Sequence, residues 1–433
     1  MSVITAVHAK DIRFPTSEQL DGSDAMNPDP DYSAAYCVIE TSEGPFGHGM
    51  TFTIGRGNDL CVAAIQQLGA LLIGFELDDL RPSMGPLWKR LTGDSQLRWL
   101  GPEKGVVHLA AAAVMNALWD LLAKREGVPI WRLLAAMPAE ELYDLVDWTY
   151  LNDVVTREEV IAHLHATHET VNERILELEA KGYPAYTTSA GWLGYSDEKM
   201  RALLREAVDA GWTTFKMKVG RDLEDDKRRA RLIREYIGDS GQLMMDANQV
   251  WGVNTAIAWM RELAEFRPGW IEEPTSPDDI LGHAKIAKAL APIPVATGEH
   301  CHNAVMFKQF MEAGGLSICQ LDSCRLASIN EILGVLILAW KFQIPVCPHA
   351  GGVGLCEYVQ HISMFDYARV SCETEGRVIE YVDHLHEHFK DPVRLVNGHY
   401  ATPKAPGYSI EMHADTLRRF EYPHGEVWAS RGH

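Results

Sequence analysis

From Tyr183 onward the chain repeats one arrangement eight times. Short strand-like runs ("PAYTTS", "FKMKVG", "LMMDAN", "WIEEP", "PVATGEH", "SICQLDS", "IPVCPHA" and "RVIEYV") alternate with longer stretches of helical periodicity. Strands separated by helices are joined by crossovers and therefore run parallel. Eight such units at this length predict an α/β fold of the (β/α)8-barrel type. Helix starts are marked by Ser196 with Asp197 and Glu198 behind it, by Asn254, by Ser276 followed by Pro277, and by a capping box at Ser328-x-x-Glu331. "DLVDWTYL" competes with "PAYTTS" for the first strand. Residues 1–130 hold strand-like "YCVIETSEG" and "GMTFTIG" and an alanine-rich helix, which predicts a separate α+β domain ahead of a barrel over 140–392. Residues 393–433, rich in proline, read as a segment returning over the surface.

Barrels of this type carry their active sites at the C-terminal ends of the strands. Reading those ends in order gives Lys218, Asp246, Glu272, Glu299, Asp322, His349 and Glu380, at spacings of 28, 26, 27, 23, 27 and 31 residues. One ionisable residue per unit at one structural level predicts convergence on a single pocket. Any one of them alone would be a helix cap or a solvated carboxylate. Three acids on consecutive strands, Asp246, Glu272 and Glu299, make a hard oxygen site suited to Mg²⁺, although "WIEEP" leaves Glu272 and Glu273 undecided by spacing. In "FKMKVG" the period of two puts Lys216 and Lys218 on one face. By itself such a pair is most simply solvated. Facing a metal, two adjacent ammonium groups would repel, which would make Lys218 a base near neutral pH. His349 would stand across the pocket, with Asp322 one strand earlier orienting its imidazole.

These features resemble the enolase superfamily in its mandelate racemase subgroup. The resemblance rests on the K-x-K pair, "DAN", "WIEEP", "TGE" and "PHAGG", and spans nearly the whole chain. Longer segments ("GSDAMNPDPDYSAAY", "TFTIGRGND", "DSQLRWLGPEKGV", "GWLGYSDEK", "PHAGGVGLCE", "VDHLHEHF") resemble the branch that dehydrates L-fuconate and L-galactonate. The resemblance implies a barrel capped by the N-terminal domain, with Mg²⁺ on Asp246, Glu272 and Glu299. It implies a sugar acid substrate, with Lys218 taking the proton from carbon 2 and Lys216 tuning that base and touching the substrate carboxylate. His349, paired with Asp322, would protonate the leaving hydroxyl of carbon 3. Asn248 and Glu380 would contact substrate, as would a loop containing Gly22, Asp24 and Tyr32 that closes from the cap. A homo-oligomer is expected as well. The chain departs from the pattern at Val250, Gly252, Thr149 and "LASINE", which bears on contacts to the far end of the sugar acid. A racemase, a dehydratase of another sugar acid and a non-catalytic binding protein are the competing readings.

A net charge of −20 argues against nucleic acid or an anionic membrane as partner. The apolar run "ILGVLILAW" is short of the ~20 residues a bilayer takes. Eight cysteines without a C-x-x-C pair read as reduced thiols, and the opening "MSVITAVHAKDIRF" lacks a secretory layout, so a cytoplasmic location is expected. The histidines of "HLHEHF", the turn "GGVG" and the charged "EDDKRRAR" read as structural. His300 and His302 lie beside Glu299 without an assigned role.

Overall fold

The opening segment is a strand. In the computed structural model, which describes residues 2–101 and 103–431, β1 (Ile4–Arg13) pairs antiparallel with β2 (Ser33–Thr41), which pairs with β3 (Gly47–Thr53). Three helices complete this domain: α1 (Asn58–Gly69), α2 (Leu80–Thr92) and α3 (Gly105–Glu126). β3 packs against α3 at very short range, because a Cβ on Gly47 or Gly49 would strike the backbone of α3 at Ala117 and Ala113. Only glycine facing alanine allows that approach. α3 is the one helix among the described residues long and apolar enough to cross a membrane. It is a core helix, with 83% of its apolar window buried.

The barrel strands are β4 (Tyr183–Thr187), β5 (Thr214–Lys218), β6 (Gln242–Asp246), β7 (Ile271–Glu272), β8 (Val295–Thr297), β9 (Ile318–Cys319) and, last in sequence, β10 (Ile379–Tyr381). β4 to β9 pair in parallel in chain order, and β10 pairs in parallel with β4. The seventh position is filled by the segment around Val346, which bridges to Cys319 and continues to His349, whose N–H donates to the Leu321 carbonyl at 3.1 Å. Closure to β10 is made by the Ala350 N–H donating to Glu380 Oε2 at 2.8 Å. Seven α-helices, beginning at Asp197 and ending with Leu355–Phe365, link the eight strand positions. The predicted barrel with its N-terminal α+β cap is therefore present.

Several local expectations change. "DLVDWTYL" is helix and turn, because Ala139–Asp144 is helical and Trp148 turns back to donate to the Tyr143 carbonyl at 2.8 Å. "PAYTTS" is the first barrel strand. Ser196 caps its helix as expected, accepting from Lys199 N–H at 3.2 Å. The next two caps shift: Gly252 occupies the position assigned to Asn254, and Asp279, not Ser276, accepts from Gly282 N–H at 2.7 Å. Ser328 is no cap either. Its φ is +69°, and its hydroxyl donates to Asn116 Oδ1 at 2.5 Å, tying the barrel to α3. Glu331 still accepts from Ala327 N–H at 2.8 Å but also reaches His108 at 2.7 Å.

The C-terminal segment covers the free edge of β1. Arg13 N–H donates to the Phe420 carbonyl at 3.1 Å, and Tyr422 N–H to the Asp11 carbonyl at 2.8 Å. Edge strands left open invite aggregation, so this cover completes the cap. All eight cysteines are free thiols.

Candidate active site

Strand register sets the level of the site. Lys218 pairs across to Asp246, and Asp246 to Glu272, so three charged side chains leave three neighbouring strands at one height. Both lysines of β5 point into the barrel and are buried, which excludes the solvated reading. Lys218 Nζ lies 2.5 Å from Asp246 Oδ2, and Lys216 Nζ lies 2.7 Å from Glu272 and 2.8 Å from Glu380.

Asp246, Glu272 and Glu299 offer carboxylate oxygens within 4.8 Å of one another, all buried. Burial and the nearby Asp246 charge push Glu272 up to about 8. Glu299 Oε2 is buried and makes no hydrogen bond. Three buried carboxylates that repel one another, one with an orphaned oxygen, fit a hard divalent cation of Mg²⁺ type. The geometry separates the two glutamates of "WIEEP": Glu272 joins this set, while Glu273 groups with Glu299 and His300.

Above the carboxylates is a cavity of about 320 Å³, within the usual range for a small-ligand site. Lys218, Asn248, Glu299, Asp322 and His349 line it from the barrel; Gly22, Asp24 and Tyr32 line it from the cap. Glu380 lies beneath, accepting from Thr188 Oγ1 at 2.7 Å and from Ala350 N–H. Lys216 also lies beneath the cavity wall, with its side chain fully buried. Lys216, for which a contact to the substrate carboxylate is expected, makes its ion pairs here with Glu272 and Glu380. Repulsion between the lysines does not dominate. Burial and Lys216 both lower the Lys218 pKa, but Asp246, Asp24 and Glu299 outweigh them and raise it.

His349 behaves as expected: Nδ1 is 2.8 Å from Asp322 Oδ2, and Nε2 is 3.5 Å from Glu299 Oε2. Burial disfavours its charge, but Glu299 and Asp322 favour it and raise the imidazole to about 9.

The loop between β1 and β2 is fastened over the mouth. Leu193 N–H donates to the Ser23 carbonyl at 3.0 Å, and the Tyr195 hydroxyl donates to Asp21. Gly22 has φ +83°, and a Cβ there would overlap the Tyr32 hydroxyl. This is a position only glycine can hold.

Val250, Gly252 and Thr149 are absent from the cavity lining, so the expected bearing of these departures on the far end of a substrate is not direct. Val250 packs beside Gly220, and Thr149 donates to Asp147 Oδ1 at 2.6 Å. Among the lining residues that sequence reasoning missed are Trp192, whose ring stands 5.3 Å from Lys218 Nζ, Gln249, Arg325 and Phe52. Trp192 could have been found as an aromatic following glycine just beyond a strand end. His300 lines the cavity; His302 does not. The "HLHEHF" histidines have separate partners: His386 pairs with Glu357 at 2.8 Å, His388 packs on Phe14, and His384 stacks on Tyr32.

Two family descriptions match the chain: "Enolase C-terminal domain-like" over residues 199–416 and "Mandelate racemase / muconate lactonizing enzyme, N-terminal domain" over residues 30–135. The chain belongs to the mandelate racemase/muconate lactonizing enzyme family of the enolase superfamily. This family member is 54% identical to Mitochondrial enolase superfamily member 1 of Homo sapiens over 429 residues, 98% of this chain and 97% of the relative. The crystal structure of that human protein superposes with a TM-score of 0.98, covering 100% of this chain and 99% of the other. L-galactonate dehydratase of Hypocrea jecorina is 52% identical over 97% of this chain and 94% of its own length. A racemase from Streptomyces coelicolor A3(2) with bound magnesium superposes with a TM-score of 0.76 at 26% identity, covering 97% and 100%. The two matched regions cover most of the cap and most of the barrel, and the cavity is lined from both.

Proposed function

We propose that this family member dehydrates a six-carbon sugar acid, L-galactonate or its 6-deoxy counterpart L-fuconate, to the 2-keto-3-deoxy acid. The observation that carries the reading is the pairing of Lys218 with an Asp322-held His349 in one cavity above three carboxylates. The 52% identity to an L-galactonate dehydratase supports the substrate class. Asp246, Glu272 and Glu299 would hold the Mg²⁺ cofactor, which would supply positive charge beside the substrate carboxylate.

The chain's own groups do the rest. Lys218 Nζ takes the carbon-2 proton. Burial and Lys216 favour its neutral form, and the Asp246 charge that opposes this is weakened when that carboxylate serves as a metal ligand. Hydroxide leaves poorly, so His349 Nε2 donates a proton to the carbon-3 hydroxyl, which departs as water. The enol then tautomerises to the keto acid. Asp322 keeps the imidazole charged and aimed, while the loop at Gly22, Asp24 and Tyr32 excludes water.

The test is purified protein with Mg²⁺ against a panel of six-carbon and 6-deoxy sugar acids, reading 2-keto-3-deoxy product as its semicarbazone. EDTA and Lys218→Ala serve as controls. Metal-dependent product from L-galactonate or L-fuconate supports the reading. Solvent deuterium entering both epimers without keto acid would point to a racemase, since the same two groups can return a proton to opposite faces. Near-normal turnover by Lys218→Ala would overturn the mechanism.

A further inference from the structure

His300 is built into the cavity wall in a way the dehydration chemistry does not use. Its Nδ1 lies 3.0 Å from Glu273 Oε1, 3.2 Å from Glu299 Oε1 and 2.7 Å from the Gln249 amide. Glu273 is fully buried, and its other oxygen accepts from Gln249 Nε2 at 2.8 Å. The Gln249 N–H in turn donates to the Glu273 carbonyl at 2.8 Å. The three side chains form a closed platform on which one ring nitrogen is committed. Among the described residues Nε2 has no hydrogen-bond partner, and the side chain is 36% exposed and borders the cavity. The accessible nitrogen is therefore Nε2.

Backbone strain marks the same spot. Asn248, Gln249 and Glu273 have φ of +43°, +68° and +42°, three non-glycine residues in the left-handed region at the ends of β6 and β7. Such conformations persist where the surrounding structure over-determines them, and they cluster at ligand sites. Here they aim Gln249 and Glu273 under the His300 ring.

Position decides what His300 meets. His349 approaches Oε2 of Glu299, whereas His300 approaches Oε1. The two histidines flank one metal ligand. Lys218, His349 and His300 all border the one cavity, so a sugar acid whose carbons 2 and 3 reach Lys218 and His349 leaves the rest of its chain to the other lining groups, His300 among them. We propose that His300 is a specificity-determining residue whose Nε2 hydrogen-bonds a substrate hydroxyl beyond carbon 3, with Glu273 and Gln249 as its positioning residues. The inference rests on the sugar acid reading of the site.

The test is calorimetric binding to the Lys218→Ala protein with Mg²⁺, so that no ligand is consumed. L-galactonate is compared with its 4-deoxy, 5-deoxy and 6-deoxy forms, the last being L-fuconate. Adding His300→Ala should weaken L-galactonate binding roughly 3- to 10-fold, the usual loss when a hydrogen bond of about 1 kcal/mol is removed. For one of the three deoxy acids the substitution should have no effect, because the contacted hydroxyl is already gone. His300→Phe should lose as much as His300→Ala, and His300→Gln, which keeps a donor, should recover part. Mg²⁺ affinity measured by metal titration should stay within about 3-fold. Equal losses across all four acids, or a loss traced wholly to weaker Mg²⁺ binding, would overturn the assignment and leave His300 as a support for Glu299. Binding indifferent to His300→Ala would overturn it alone. No sugar acid binding before His300 is changed would overturn the substrate reading itself.

Discussion

Replacing Asp322 with asparagine tests the acid half of the proposed reaction. Asp322 Oδ1 accepts the N–H groups of Cys324 and Arg325 at 2.7 Å each, and Oδ2 faces His349 Nδ1 at 2.8 Å. Asparagine can keep Oδ1 and both backbone bonds, so the turn after β9 should hold and the melting temperature should stay within a few degrees. Its amide NH₂ then replaces Oδ2 and presents a donor where the imidazolium needs an acceptor. A hydrogen bond to an ionised partner contributes about 1.5–3 kcal/mol, which is ~10- to 150-fold in rate. The same energy is about 1–2 pK units at ~1.36 kcal/mol per unit. Burial opposes the His349 charge, and Glu299 and Asp322 hold it at about 9. The acid must be protonated to act, so kcat/KM falls as pH rises through the His349 pKa, which in the metal-loaded protein lies below this value because the metal shares the Glu299 charge. In the variant the alkaline limb should begin about 1–2 units lower. The ratio of wild type to variant, measured by keto acid formation, should therefore widen between pH 7 and pH 9. A flat ratio with an unmoved alkaline limb would refute the reasoning and reduce Asp322 to a turn-forming residue.

Gly22→Ala forces a Cβ onto the Tyr32 hydroxyl at φ +83°, at about 1–2 kcal/mol for the backbone alone, so KM should rise about tenfold or more with little change in melting temperature. An unchanged KM would show that the loop does not touch substrate. Tyr195→Phe removes the hydroxyl that fastens Asp21, and amide exchange over residues 20–28 should speed up by roughly 3- to 10-fold for a lost hydrogen bond of about 1 kcal/mol. Chelation with EDTA should abolish turnover while leaving far-ultraviolet circular dichroism intact, because Lys216 and Lys218 already pair with the buried carboxylates. Mg²⁺ at 100 times its Kd should add about 2.7 kcal/mol of stability, and a large loss of structure on chelation would contradict this. Burial holds the His361 pKa at about 3. A lowered histidine is charged in the unfolded chain first, so its stabilisation is present above about 6.5 and is lost as pH falls towards 3. By pH 5 that loss is ~2 kcal/mol, seen as an acid-side fall in melting temperature that His361→Gln should flatten.

Much of the site was legible because two rules are local. Period-two alternation turns Lys216 and Lys218 to the same side of β5, and a crossover of about one β/α unit returns Asp246, Glu272 and Glu299 to the same end of the barrel. The missed strand β1 shows the limit: "ITAVHAKDIR" gains its partners from β2 and from the C-terminal segment around Glu421, neither of which the segment itself encodes.

What the sequence determined by itself is the barrel, the cap and the level at which seven ionisable residues emerge, since strand period and crossover length need no knowledge of distant contacts. Tertiary structure alone decided how those residues pair. Lys216 is drawn beneath the cavity by Glu272 and Glu380 from strands 56 and 164 residues away in sequence, and Asp246 holds the Lys218 charge against the repulsion of its neighbour. Tertiary structure also decided that Glu273 leaves the strand at φ +42° and turns to His300 instead of the metal set, a choice made at one backbone angle that alternation cannot foresee. Coulomb energy depends on separation and burial. Both are properties of the closed barrel, not of spacing along the chain.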